Sequence, residues 1–235
     1  MSEPVIELAG ISSGYKESIV IQNVSFEIKS GEIIALVGKN GMGKTTLLKS
    51  IMGYLPKRTG SIRIFGRDVT RMPAHQIART QIAYAPQERS LFHDLSVRDN
   101  LRLALPNDAV FDERFVEIDS LFPFLKDRMK QRAGTLSGGE QKMLLVARAL
   151  MAKPNLILID EITEGLQPSV IDRVANALTH QRKTHGTAIL FVEQNVPFAV
   201  SVADRYAVLK LGEIIEIGEC SDSGAQQNIM RHLSV

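Results

Sequence analysis

Residues Gly38-Lys39-Asn40-Gly41-Met42-Gly43-Lys44-Thr45, followed by Thr46, match the phosphate-loop pattern G-x-x-x-x-G-K-[ST] at every fixed position. The pattern constrains the fold because it works only where a strand delivers the glycines and a helix leaves them. Small residues let successive backbone N–H groups close around phosphate oxygens, and the positive end of the following helix points at the same anion. Lys44 adds a full charge on a flexible stem, and Thr45 supplies a hydroxyl for Mg²⁺, which favours octahedral oxygen ligands. The loop therefore implies a nucleoside triphosphate site. Its flanks agree: Glu32 to Val37 is a short apolar, partly β-branched run, and Thr45 to Met52 has helical spacing.

Further β character appears at Val5 to Leu8, Ile19 to Ile21, Val24 to Ile28, Gly60 to Gly66 and Ile82 to Ala85, with a helix from Pro73 to Thr80. From Glu88 to Pro154 the pattern turns helical. Strands return at Leu156 to Asp160 and Ala188 to Val192, separated by a helix from Ser169 to His185 that ends at Gly186. A terminal strand pair, Tyr206 to Leu209 and Glu213 to Glu216, turns at Gly212. The expectation is an α/β core into which a helical segment is inserted, with no internal repeat.

Composition excludes several classes. A chain of 235 residues can bury a substantial core, and a single cysteine, Cys220, rules out an internal disulfide and fits a reducing compartment. A net charge of +2 with interspersed signs leaves no footprint of a nucleic-acid binder. No apolar run approaches the roughly 20 residues of a spanning helix, and the N-terminus lacks a secretory signal, so a cytosolic location is expected and a membrane role has to come through a partner. The five histidines show no metal-ligand spacing.

Two further motifs carry chemistry. Leu156 to Asp160 is an apolar run ending in a carboxylate, the form of a strand buried on both faces with its acidic end at a ligand crevice. It reads as a Walker B strand: Asp160 would orient the Mg²⁺ and Glu161 would place or deprotonate the attacking water. Leu136-Ser137-Gly138-Gly139-Glu140-Gln141 stands before a helix, with Ser137 and Glu140 spaced as a capping box. It is either a capped helix start or an anion site with bare N–H groups.

The hexapeptide at Leu136, together with the phosphate loop, resembles the signature of the ATP-binding cassette (ABC) transporter ATPases, and the resemblance covers essentially the whole chain. It implies a P-loop NTPase (RecA-like) core of residues 1–87 and 155–235 with an N-terminal antiparallel β subdomain, and a helical signature subdomain at 88–154. It implies ATP hydrolysis with Mg²⁺, bound through Gly38, Lys39, Asn40, Gly41, Met42, Gly43, Lys44, Thr45 and Thr46. Tyr15 falls where the family stacks an aromatic on adenine, its alternative being a core tyrosine. Gln87 matches the glutamine that reaches metal and water, and Glu164 to Gln167 the D-loop. Ser137, Gly138, Gly139 and Glu140 would close on the triphosphate of a second subunit. Thr45, Gln87 and Asp160 would serve the metal, and Glu161, Lys44, Gln87 and Gln194 the chemistry.

Two departures stand out. Gln194 replaces the family's usual histidine and cannot titrate near neutral pH; Ile162 replaces a proline. The V-E-Q-N run, the T-L-S-G-G-E-Q-K-M-L run and Glu164 to Pro168 resemble the smaller ATPase of branched-chain amino acid importers, and equally that of urea and short-chain amide importers. Such a subunit implies a second ABC ATPase, two membrane permeases and, indirectly, an external solute-binding protein, at the cytoplasmic face of the inner membrane. Lipopolysaccharide-type export and a soluble accessory ATPase are the other readings. Of the apolar residues after Gln87, Phe92 is expected to meet a permease helix, and Leu95 and Leu101 to belong to the core. The clustered Arg128, Lys130 and Arg132 read mostly as a solvated face, the alternative being that Arg132 supports the signature loop.

Overall fold

A computed structural model describes residues 3–55, 57–87 and 91–234. The first half of the core comprises β1 (Pro4–Tyr15), β2 (Ser18–Lys29), β3 (Ile33–Val37), α1 (Lys44–Ile51), β4 (Lys57–Ile64), β5 (Arg67–Asp68), α2 (Ala74–Ile77) and β6 (Ile82–Ala85). Then come α3 (Val97–Arg102), α4 (Phe111–Leu121), α5 (Phe124–Asp127) and α6 (Gly138–Met151). The chain closes with β7 (Leu156–Asp160), α7 (Pro168–His185), β8 (Ala188–Glu193), α8 (Val196–Val202), β9 (Arg205–Lys210), β10 (Glu213–Glu219) and α9 (Ala225–Leu233).

A six-stranded sheet in the order β10-β9-β3-β8-β7-β6 forms the centre, parallel from β9 through β6 and antiparallel at β10. Its central strands β3, β8 and β7 are buried on both faces, which is why they read as apolar runs. Alternate residues serve different cores. Ile33, Ala35, Val37, Ile157, Ile159 and Phe191 face the cluster that continues into α6, α7 and α8. Ile34, Leu36, Leu158, Leu190 and Val192 face the cluster made with α1 and a four-stranded antiparallel sheet, β2-β1-β4-β5.

Ile19 to Ile21 and Val24 to Ile28, expected as separate strands, form the single strand β2. The break is an irregularity in its pairing with β1 at Asn23, whose φ is 48°; the neighbouring Gln22 N–H turns to Gly212 O at 2.8 Å. The helix expected from Pro73 shortens to Ala74–Ile77, because the Thr80 hydroxyl takes up Ile77 O and Gln81 turns left-handed into β6. Between β6 and β7 the described residues hold helices and one isolated bridge, Ser96 with Arg132; residues 88–90, at the start of the expected helical segment, lie outside the described residues. The apolar cluster runs without a break from the sheet through Leu144 and Val146 of α6 to Phe111, Ile118 and Phe122. The sequence patterns above do not include α8 and α9. The first is capped by Asn195, which accepts from Phe198 N–H at 3.1 Å, and has proline in its first turn.

The β9–β10 turn presses on β2. A Cβ at Gly212, whose φ is 86°, would lie 2.1 Å from Val20 O, and its N–H donates to Met42 O in the phosphate loop at 3.2 Å. Gly212→Ala is therefore expected to cost about 1–3 kcal/mol in urea unfolding, from a backbone collision added to a left-handed conformation. Wild-type stability in that variant would contradict the close approach.

Candidate functional site

Four neighbouring parallel strands bring their carboxyl ends to one edge. β3 releases the phosphate loop, β8 ends at Glu193 before Gln194, β7 ends at Asp160 before Glu161, and β6 is followed by Gln87. This is where open α/β sheets place ligands. The loop turns into α1 at Gly43, whose φ of 103° no L side chain holds comfortably; a Cβ there would meet Ile21 Cγ2 at 2.8 Å.

Lys44 is 3% exposed. Its ammonium donates to Gly38 O at 2.8 Å and Lys39 O at 3.1 Å and pairs with Glu161 Oε1 at 2.9 Å. The other Glu161 oxygen accepts from the Gln87 side-chain nitrogen at 2.7 Å, which also reaches Glu164 Oε2 at 3.0 Å. Catalytic candidates from three strands thus form one network around the loop. They line a cavity of about 410 Å³ together with Val20, Asn40, Gly41, Gly43, Thr45 and Thr46. A second cavity of about 230 Å³ shares Asn40 and Glu161 with the first and adds Gln194 and Glu164. Gln194 donates to the Asn40 side chain, so it reaches the phosphate loop directly.

The Thr45 hydroxyl donates to Asp160 Oδ1 at 2.9 Å. A hydroxyl and a carboxylate beside the loop are hard oxygen donors that fit Mg²⁺, an ion that draws much of its shell from substrate and water. No cluster of three or more His, Cys, Asp or Glu that could hold a metal occurs among the described residues. Tyr84, which belongs to none of the sequence motifs, brings its hydroxyl to Asp160 Oδ2 at 3.4 Å. Burial pushes the Asp160 carboxyl above its ordinary value; Glu161's charge acts the same way, and the Thr45 and Tyr84 hydrogen bonds oppose it. Burial also raises Glu193, which is held by the Thr163 N–H and hydroxyl at 2.9 Å each.

The remaining candidates stand elsewhere. Tyr15 is 43% exposed at the end of β1 and lines neither cavity. Ser137 caps α6, and the capping box is complete: Ser137 Oγ accepts from Glu140 N–H at 3.3 Å and Glu140 Oε2 from Ser137 N–H at 2.9 Å. Arg128 pairs with Glu140 Oε1 at 3.1 Å, so one member of the basic cluster expected as a solvated face braces this loop. Ser137 and Gly138 are exposed, and none of Ser137, Gly138, Gly139 and Glu140 lines either cavity. Phe92 is 58% exposed above a cavity of about 510 Å³ shared with Tyr54, Tyr84 and Pro86. Its backbone is clamped by the buried Asn100 side chain, which accepts from Phe92 N–H and donates to Phe92 O, both at 3.0 Å. Leu101 is buried as expected, whereas Leu95 is 37% exposed, because the α3 cap turns it outward at Ser96. Cys220 is buried, which pushes its thiol up to about 12.

Glu161 pairs with the lysine that the phosphate-loop pattern assigns to a phosphate. Glu161→Gln, with a neutral and weaker competitor for Lys44, should bind ADP about fivefold more tightly in metal-free calorimetry while losing turnover; unchanged or weaker ADP binding would contradict the competition. Asp160 gives a pH test. The folded protein binds its proton more tightly than the unfolded chain, so the stability carried by the neutral form is present at acid pH and lost as pH rises through the raised pKa. Asp160→Asn should therefore melt a few degrees higher than the parent at pH 7, the gain shrinking as pH falls, and a lower melting temperature at pH 7 would reverse that sign.

The profile of the family described as ABC transporter matches residues 21–164, more than half of the chain. The high-affinity branched-chain amino acid transport ATP-binding protein BraG of Pseudomonas aeruginosa is 40% identical over 207 residues, covering 87% of this chain and 88% of that protein. The probable branched-chain amino acid transport ATP-binding protein LivF of Archaeoglobus fulgidus is 37% identical over 215 residues, 90% and 91% of the two chains. The lipopolysaccharide export system ATP-binding protein LptB of Escherichia coli K12 is 35% identical over 229 residues, 94% and 93%. A solved structure of a nucleotide-free ATP-binding cassette from an ABC transporter shares the fold with a TM-score of 0.85 at 21% identity, over 97% of this chain and 96% of that one. The ATP binding subunit of an ABC transporter gives 0.82 at 28% identity, over 96% and 94%. The chain belongs to the ABC transporter family and is one of its ATPase subunits.

Proposed function

We propose that the chain hydrolyses ATP to energise an ABC importer of branched-chain or other amino acids. The observation that carries the catalytic part is the convergence of Lys44, Thr45, Asp160, Glu161 and Gln87 on one cleft. Amino acids as cargo are supported by the identity with the two branched-chain amino acid transport proteins. In this reading the phosphate loop and Lys44 hold the triphosphate, and Thr45 and Asp160, with Gln87 beside them, would hold Mg²⁺, which when bound supplies charge neutralisation for the phosphates. Glu161 takes the proton of water as its oxygen bonds to the γ-phosphorus and the bond to the β-phosphate oxygen breaks. Gln194, a neutral donor, serves as hydrogen-bonding partner near the γ-phosphate. Tyr15 is read as the adenine platform.

Ser137, Gly138, Gly139 and Glu140 are exposed or half-exposed and belong to neither cavity, which supports their closing on the ATP of a second ABC subunit. The segment 88–154 is read as the lobe that carries them. Among the described residues no helix is long and apolar enough to cross a membrane, so two permease subunits would span it, fed by a solute-binding protein. This subunit would sit at the cytoplasmic face of the inner membrane. The rigidly held, exposed Phe92 is the proposed contact with a permease helix.

The test is reconstitution with the partner permeases in vesicles. Leucine, isoleucine or valine with the binding protein should stimulate ATP hydrolysis, and Phe92→Ala should lower transport by about tenfold at unchanged ATPase activity of the isolated subunit. Stimulation by urea, an amide or a lipopolysaccharide would replace the cargo. Failure to co-purify with any permease would remove the transporter role.

A further inference from the structure

We propose that Lys142 is a positioning residue for Glu161, fixing the backbone of the water-activating carboxylate from the helix that begins at the Ser137–Glu140 loop. The proposal rests on the reading of Glu161 as the base. Lys142 lies near the start of α6, and its ammonium donates to Glu161 O at 2.9 Å. The acceptor is the main-chain carbonyl of the base itself.

That carbonyl belongs to a residue in an unusual conformation. Glu161 has φ of 47°, the left-handed region that non-glycine residues seldom enter. Its two peptide groups are held from different parts of the molecule. The N–H donates to Val192 O at 3.0 Å, within the sheet, and the C=O accepts from Lys142, on the inserted segment. The dihedrals that aim the carbonyl also aim the Cα–Cβ bond. A charged donor on the carbonyl therefore sets where the Glu161 side chain emerges. The carboxylate is engaged by Lys44 and Gln87 in this state, so Lys142 acts through the backbone and not on the reacting oxygens.

The start of α6 is itself registered. The capping box, the Arg128–Glu140 pair and the Gln141 side chain, which donates to Leu136 O at 2.9 Å, lock the turn in which Lys142 follows. A movement of the exposed loop thus reaches the base through one charge-assisted hydrogen bond. Sequence pattern does not signal the contact: Lys142 has the ordinary look of a helix-surface lysine.

Lys142→Met keeps the apolar stem and removes the ammonium; Lys142→Arg restores a cationic donor. In steady-state hydrolysis the methionine variant should lose about tenfold in kcat, the scale of a slightly misplaced catalytic group, with KM and ADP affinity within about twofold of the parent. Its melting temperature should stay within about 2 °C, and the arginine variant should recover at least about half of the lost rate. A methionine kcat within twofold of the parent would overturn the proposal. So would a loss of rate matched by an equal loss of ADP affinity or melting temperature, or one that arginine does not rescue. Parental turnover in Glu161→Gln would instead remove Glu161 as the base, which separates the failure of that reading from the failure of Lys142.

Discussion

The structure around the nucleotide cleft depends on the burial of one ammonium. Removing a lysine charge from water costs several kcal/mol unless hydrogen bonds and an opposite charge replace the lost hydration. Lys44 has both: two carbonyls of its own loop and the Glu161 carboxylate. The carbonyls fix the curl of the phosphate loop, and the carboxylate fixes that loop against the end of β7. The anion beside Lys44 is one that the protein supplies itself, from the residue that follows β7.

Sheet order makes this arrangement possible. β8 lies between β3 and β7, and β6 flanks β7, so the loop, Gln194, the Asp160–Glu161 pair and Gln87 arrive side by side although they are far apart in sequence. Each strand is apolar along its length, and the candidate site residues stand at or just beyond its carboxyl end. The inserted helices leave the sheet at the carboxyl end of β6, beside Gln87, and return to it at the amino end of β7. Helix α6 packs into the core cluster of the sheet and also carries the Ser137–Glu140 loop at its start, which is why one helix bears on both the cleft and the exposed loop.

Much of this is legible in the sequence because it is local. The phosphate loop, the capping box at Ser137, the strand ending in Asp160 and the C-terminal stop of α7 at Gly186 each depend on residues within a few positions of one another. Where local rules compete with tertiary contacts, the pattern misleads. Asn23 looks like the end of a strand, yet β2 continues through it because Gly212 satisfies the neighbouring amide. Leu95 looks like core, yet the turn at Ser96 exposes it.

The sequence by itself determined the nucleotide loop, the strand-and-helix order around it and the identity of the carboxylates, since backbone geometry and burial on both faces of a sheet restrict residue type at fixed short spacings. Only the tertiary structure decided which groups meet: Glu161 on Lys44, Tyr84 on Asp160, Gln194 on Asn40, Arg128 on Glu140, and Lys142 on the Glu161 carbonyl. Except for Arg128 and Glu140, which lie closer in the chain, these partners are 19 to 154 residues apart. Their pairing follows from strand order and helix packing, which no short-range pattern encodes.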